Sequence, residues 1–156
     1  MPSDTGKGSS RLLAFVLLMA AVLRVWSLDF GLPHTLARPD ETEIVPRVLL
    51  FFTGDLNPRF FHYPSLYFYV VGVVYAVWAG LLAVGGQPLA ETLAAAAVDL
   101  SPFILLARGV SVATGVATVG VLYLLGKALG GVRVGLVAAL FLAVAPLHVR
   151  DAHFAT

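Results

Sequence analysis

The sequence contains no cysteine, and charge is scarce: 10 basic and 9 acidic side chains in 156 residues, for a net charge of +1. Without cysteine there are no disulfide frameworks, thiolate metal sites or cysteine nucleophiles. A charge balance this close to zero provides no basic field for nucleic acid. With only 12% charged residues the chain cannot cover a water-soluble fold with polar surface, which excludes the soluble-enzyme classes first. There is no HExxH pair or Cys/His spacing for zinc, and no P-loop, GxSxG or strand-flanked GxGxxG for nucleotide or acyl chemistry.

What is abundant is apolar: 59% of residues are hydrophobic and the mean hydropathy is +0.90. These residues fall into blocks, which predicts an all-α, polytopic membrane protein of three to four hydrophobic helices, because backbone polar groups in lipid must be satisfied internally. A cytoplasmic arm covers 1–11 and a first membrane helix 12–28. Lys7 and Arg11 precede an unbroken LLAFVLLMAAVL run, and Arg24, Trp26 and Asp29 stand where a cleavage site would be, so the segment reads as an uncleaved signal anchor. A polar outer loop with short juxtamembrane helices follows over 29–63, then an apolar segment at 64–84, a loop at 85–102 and a helix at 103–125. A cytoplasmic turn at 126–133, a last helix at 134–149 and an outer tail at 150–156 complete the division. Gly72, Gly80, Gly109, Gly115, Gly120 and Gly135 suit close packing between such helices.

The positive-inside bias places Lys7 and Arg11 in the cytoplasm and asks the same of the Lys127 to Arg133 turn. Three crossings satisfy both and four do not. The segment at 64–84, rich in Tyr67, Tyr69, Tyr75 and Trp78, is therefore expected to lie in the interface or to re-enter, with an ordinary span as the alternative. With three crossings the loop and the tail from His148 onward share the outer face.

Eight charged residues (Asp29, Arg38, Asp40, Glu41, Glu43, Arg47, Asp55 and Arg59) gather in the 29–63 loop with His34 and His62. A polar loop between oily helices is where chemistry is expected. In Arg38-Pro39-Asp40-Glu41-Thr42-Glu43, Asp40 serves either to cap a short helix, with Glu43 completing a capping pair and bridging to Arg47, or as a reactive carboxylate. Gly54-Asp55-Leu56-Asn57-Pro58 is turn chemistry. Arg59, His62 and Tyr63 suit either a lipid phosphate or simple interface anchoring. Arg24 and Arg108, at the outer ends of apolar segments, need a partner: a loop carboxylate by default, a phosphate as the sharper alternative. A lone His148 or His153 is more often an interface residue than a metal ligand.

Taken in order, several features resemble the polytopic GT-C glycosyltransferases: an anchor ending in Arg24, Pro39-Asp40-Glu41, the Gly54 to Pro58 turn, His62-Tyr63-Pro64-Ser65-Leu66, Arg108, and Ala145-Pro146-Leu147-His148-Val149. The nearest in pattern are bacterial relatives of protein O-mannosyltransferases and of the aminoarabinose transferase that modifies lipid A. The resemblance implies a multi-pass protein of a bacterial or archaeal plasma membrane, transferring a sugar from a polyprenyl-phosphate donor to a protein, lipid or glycan acceptor on the non-cytoplasmic face. It implies Asp40 as the catalytic base, with Glu41 positioning it or binding the acceptor. Arg59, Arg108 and Arg150 are implied at the donor phosphate, and His62, Tyr63 and His153 at the substrate. Inversion at the anomeric carbon is implied, with no cofactor apart from a possible divalent cation, whose requirement the sequence leaves open; no metal ligands are assigned. Such enzymes are several times longer and carry a further acid after the position of Thr156, so the chain reads as an N-terminal part that is inactive alone. Two rivals remain at this level, a small transporter subunit and a non-catalytic membrane scaffold; the charges cluster in loops and no internal repeat supports the transporter.

Overall fold

A computed structural model describes residues 4–34 and 39–155. Among them every regular element is a helix: α1 Asp4–Val25, α2 Pro39–Leu50 followed by a 3-10 turn Phe51–Thr53, α3 Ser65–Val84, α4 Leu89–Val98, α5 Ser101–Val144 and α6 Pro146–Asp151. Three helical stretches, Lys7–Val25, Ser65–Val84 and Ser101–Val144, are long and apolar enough to cross a membrane. Each leaves an apolar stripe uncovered, such as Leu12, Phe15, Leu18 and Val22 on α1 and Val73, Val77, Leu81 and Val84 on α3. Stripes of that length suit hydrocarbon and are rarely left exposed to water.

The chain divides into two compact units. One comprises residues up to Leu28 together with Val112–His153; the other comprises Asp29–Ser111 with Phe154 and Ala155. In the first, Val16 and Ala20 of α1 pack with Val119, Tyr123, Ala139 and Ala143 of α5. In the second, Ile44, Val45 and Val48 of α2 pack with Phe68, Val71 and Tyr75 of α3 and with Phe103, Ile104 and Ala107 at the start of α5.

Several boundaries differ from expectation. α1 begins at Asp4 and absorbs most of the expected arm, because nothing between Asp4 and Arg24 stops a helix. The expected loop at 85–102 holds the short helix α4. The expected turn at 126–133 shrinks to Gly130 and Gly131, the only residues of α5 with non-helical dihedrals; Gly131 takes φ +82°. So tight a reversal needs touching backbones. A Cβ on Gly126 would lie 2.9 Å from Gly135 Cα, and one on Gly135 would lie 2.5 Å from the Tyr123 carbonyl.

α3 spans 20 residues, roughly 30 Å of helix, long enough to cross. Two of the aromatics that suggested an interfacial placement face inward: Tyr67 donates to the Ala107 carbonyl at 3.1 Å and Tyr75 to the Phe103 carbonyl at 2.7 Å. Their phenols satisfy helix carbonyls.

Candidate functional site

On α2 a residue advances about 100° around the axis, so Glu41, Ile44, Val45 and Val48 share one face and Asp40, Glu43 and Arg47 another. The apolar members of the first face belong to the core, and Glu41 goes in with them, 1% exposed. Its partner is Arg108 of α5, also 1% exposed. Arg108 Nε donates to Glu41 Oε1 at 2.8 Å and Nη2 to Oε2 at 2.7 Å, a bidentate pair. Arg108 Nη1 donates to the Phe30 carbonyl at 3.0 Å, and the Ala155 amide donates to Glu41 Oε1 at 3.0 Å. The pair thus ties together the start of the loop, α2, α5 and the tail. The tail does meet the polar loop, through Ala155. Of the two partners considered for Arg108, the carboxylate is the one seen, and the guanidinium is engaged inside the protein.

Asp40, one residue before Glu41, is exposed in the first turn of α2. It is inside the helix, one position after Pro39, and so does not cap it. Glu43 is taken by Arg47 at 2.6 Å, the expected ion pair one turn apart. Burial, and then the neighbouring Asp40 carboxylate, hold the Tyr63 phenol above its ordinary pKa. Tyr63 belongs to an aromatic group centred on Phe60, whose ring lies 5.7 Å from Tyr63, 5.1 Å from His62 and 4.5 Å from the Arg47 guanidinium. Arg59 is exposed and pairs with Asp55 at 2.6 Å across the Asx-type turn, in which the Asp55 and Asn57 side chains accept from backbone amides two residues on. Arg38 lies outside the described residues.

In the other unit Arg24 is fully buried. The expected carboxylate partner is absent among the described residues. Its Nη1 donates to the Ala20 and Ala143 carbonyls at 2.9 and 3.1 Å, and its Nη2 to the Leu142 carbonyl at 3.3 Å and to His148 Nδ1 at 2.7 Å. Leu142 and Ala143 belong to the last turn of α5, whose carbonyls carry the negative end of the helix dipole; Leu142 also accepts from the Ala145 amide at 3.3 Å. A guanidinium is the donor such an end accepts, and that is why no acid is needed. Since the cation donates to Nδ1, His148 is neutral there; burial, then Arg24, lower its pKa. Arg150 is exposed and pairs with Asp151 at 2.7 Å. His153 places Nδ1 2.7 Å from the Val149 carbonyl and Nε2 2.8 Å from the Trp26 carbonyl, so its ring holds chain ends together. Thr156 lies outside the described residues.

Among the described residues no three His, Asp or Glu side chains gather where a metal ion would sit. Sequence reasoning missed Phe60, Arg47 as its cation, and Ser111, which sits 3.1 Å from the Tyr67 hydroxyl. The spacing Glu41, Ile44, Val45, Val48 was the available signal that Glu41 faces inward. No family model, no curated protein and no solved structure matches the chain.

Proposed function

We propose that the chain is part of a membrane glycosyltransferase of GT-C type that uses a polyprenyl-phosphate sugar donor, with Asp40 as general base. The observation that carries the reading is the division between adjacent carboxylates. Glu41 is held by three donors in the interior, while Asp40 is exposed beside Tyr63. A base must reach its substrate, and a carboxylate whose oxygens are already taken cannot. Glu41 and Arg108 act as positioning residues: they fix the first turn of α2 and so the direction in which Asp40 points.

In the reaction, the acceptor hydroxyl oxygen attacks the anomeric carbon, the bond from that carbon to the carrier phosphate oxygen breaks, and the hydroxyl proton passes to Asp40. The phosphate leaves with its electron pair, and a guanidinium beside it stabilises the developing charge. Arg59 suits that task better than Arg108, because an exposed ion pair such as its own is worth about 0 to 1 kcal/mol and exchanges readily for a phosphate. The unit holding Asp40 also has an apolar groove of about 250 Å³ lined by Phe51, Phe52, Leu56, Tyr69, Gly72 and Val73, which suits a lipid chain. With the N-terminus cytoplasmic, one crossing by α1 puts Asp40 on the outer face.

The test is transfer from a polyprenyl-phosphate donor, measured on the protein expressed from its whole reading frame. Asp40→Asn lowers turnover by about 100-fold or more at unchanged membrane abundance. Undiminished transfer would return Asp40 to a purely structural part in starting α2.

A further inference from the structure

Two contacts fix how α1 lies along α5 within its unit. A Cβ on Gly115 would meet Arg24 Nε at 3.2 Å, and one on Gly120 would meet Leu17 Cδ2 at 3.9 Å, so residue numbers rise on one helix as they fall on the other. Continuing from the Leu17 to Gly120 level, Arg11 is about 9 Å further along α1 and Lys127 about 10 Å further along α5, at 1.5 Å per residue. The glycine turn brings Arg133 to the same end, since Gly135 packs against Tyr123 and Lys127. Lys7 stands one turn beyond Arg11. Two stretches of chain far apart in sequence, the second folded back on itself at the glycine turn, therefore bring four cations to one end of this unit. All four are exposed. Among the described side chains none of them carries an ion pair. The unit contains only two acids: Asp4, at the start of α1, and Asp151, which pairs with Arg150 on α6. The basic end thus keeps a net charge of about +3 with Asp4 ionised. The apolar side chains next in line, Leu12, Phe15, Leu124, Leu125 and Val134, are exposed. Such a basic rim above an uncovered apolar band has the layout of a headgroup boundary.

We propose that Lys7, Arg11, Lys127 and Arg133 form a binding surface for anionic phospholipid headgroups, selecting them over zwitterionic lipid. Sugar transfer has no part in the proposal, which depends only on the helices lying in a bilayer. The cations are too exposed to need protein partners and too many for a neutral interface. Headgroup phosphates that carry net negative charge supply the missing counter-charge, whereas choline headgroups bring their own cation.

The test reconstitutes the chain in lipid nanodiscs of mixed phosphatidylglycerol and phosphatidylcholine, which expose both faces so that orientation does not enter. Lipids retained on the protein are counted by native mass spectrometry. The wild type enriches phosphatidylglycerol by about fivefold or more, given roughly one such factor per basic residue near the surface. The variant Lys7→Gln/Arg11→Gln/Lys127→Gln/Arg133→Gln falls toward no preference. Lys127→Gln/Arg133→Gln alone, which leaves α1 untouched, falls part of the way. Raising salt to about 0.5 M weakens the enrichment, because exposed charges are screened. Absence of any preference in the wild type, or equal enrichment in the variants, overturns the proposal.

Discussion

Two buried arginines, one in each unit, show two ways of keeping a cation out of solvent. Arg108 meets a full counter-charge in a two-pronged pair with Glu41. Arg24 meets no acid among the described residues and is held by carbonyl oxygens at the end of a helix and by a neutral imidazole. Taking either cation from water costs several kcal/mol, and what repays that differs. In one case it is a second buried ion with its own desolvation cost. In the other it is carbonyl dipoles at the terminus of α5, where the helix offers few donors of its own. The first arrangement is strong but brittle, since neither ion tolerates loss of the other; the second is weaker and more forgiving.

The difference predicts unequal mutational costs, and this is the largest effect expected. Arg108→Met leaves the Glu41 carboxylate buried without its partner and destabilises the protein by about 3 to 5 kcal/mol. Arg24→Met leaves carbonyls and an imidazole unsatisfied but no stranded charge, at about 1 to 3 kcal/mol. Adding Glu41→Gln to Arg108→Met recovers most of the loss. Unfolding titrations in detergent read both numbers. Equal losses for the two arginines, or no recovery in the double variant, would break the contrast.

How much of this was legible before the structure follows from the same pair. That Arg108 needs a loop carboxylate could be argued from the cost of a cation at the end of an apolar helix. Which of Asp40, Glu41 and Glu43 it takes was settled only by the face of α2 that carries Ile44, Val45 and Val48. Arg24 looks the same in sequence, and the same reasoning gives it the same kind of partner. Three of its four partners are main-chain carbonyls, two of them on Leu142 and Ala143 far along the chain, and carbonyl groups have no letter in a sequence. The long apolar helices were readable from length and composition. The two-residue turn at Gly130 and Gly131 was not, because it depends on how closely Gly126 and Gly135 approach in space. The role proposed for Asp40 rests on a resemblance plus exposure, and the transfer assay is what decides it.

Glycines near each arginine sharpen the comparison at a smaller scale. Gly115 faces Arg24, and a Cβ there would sit 3.2 Å from Nε and 3.2 Å from the Ala152 Cβ. Gly109, next to Arg108, has open space around it. Gly109→Ala is therefore neutral or stabilising by up to about 1 kcal/mol, the ordinary helix gain of alanine over glycine. Gly115→Ala forfeits that gain to crowding and destabilises by about 1 kcal/mol. A Gly115→Ala variant as stable as Gly109→Ala would mean that the Arg24 side chain shifts without cost, and that the carbonyl cradle is looser than its distances indicate.

The smallest effect is one that only the Arg24 arrangement can show. His148 accepts from a permanent cation at Nδ1, so protonation there would set one N–H against another at 2.7 Å. Its folded pKa is lowered from 6.5, chiefly by burial and then by Arg24. Because the unfolded chain takes up the proton first, the stability from this contact is complete above pH 6.5 or so and drains away as pH falls through the lowered folded value. The wild type should then unfold more easily at pH 5 than at pH 8. His148→Asn, which keeps an acceptor for Arg24 but does not titrate, should flatten that difference. If His148→Asn leaves the pH dependence unchanged, the imidazole is not what Arg24 relies on, and its cradle reduces to the carbonyls of Ala20, Leu142 and Ala143.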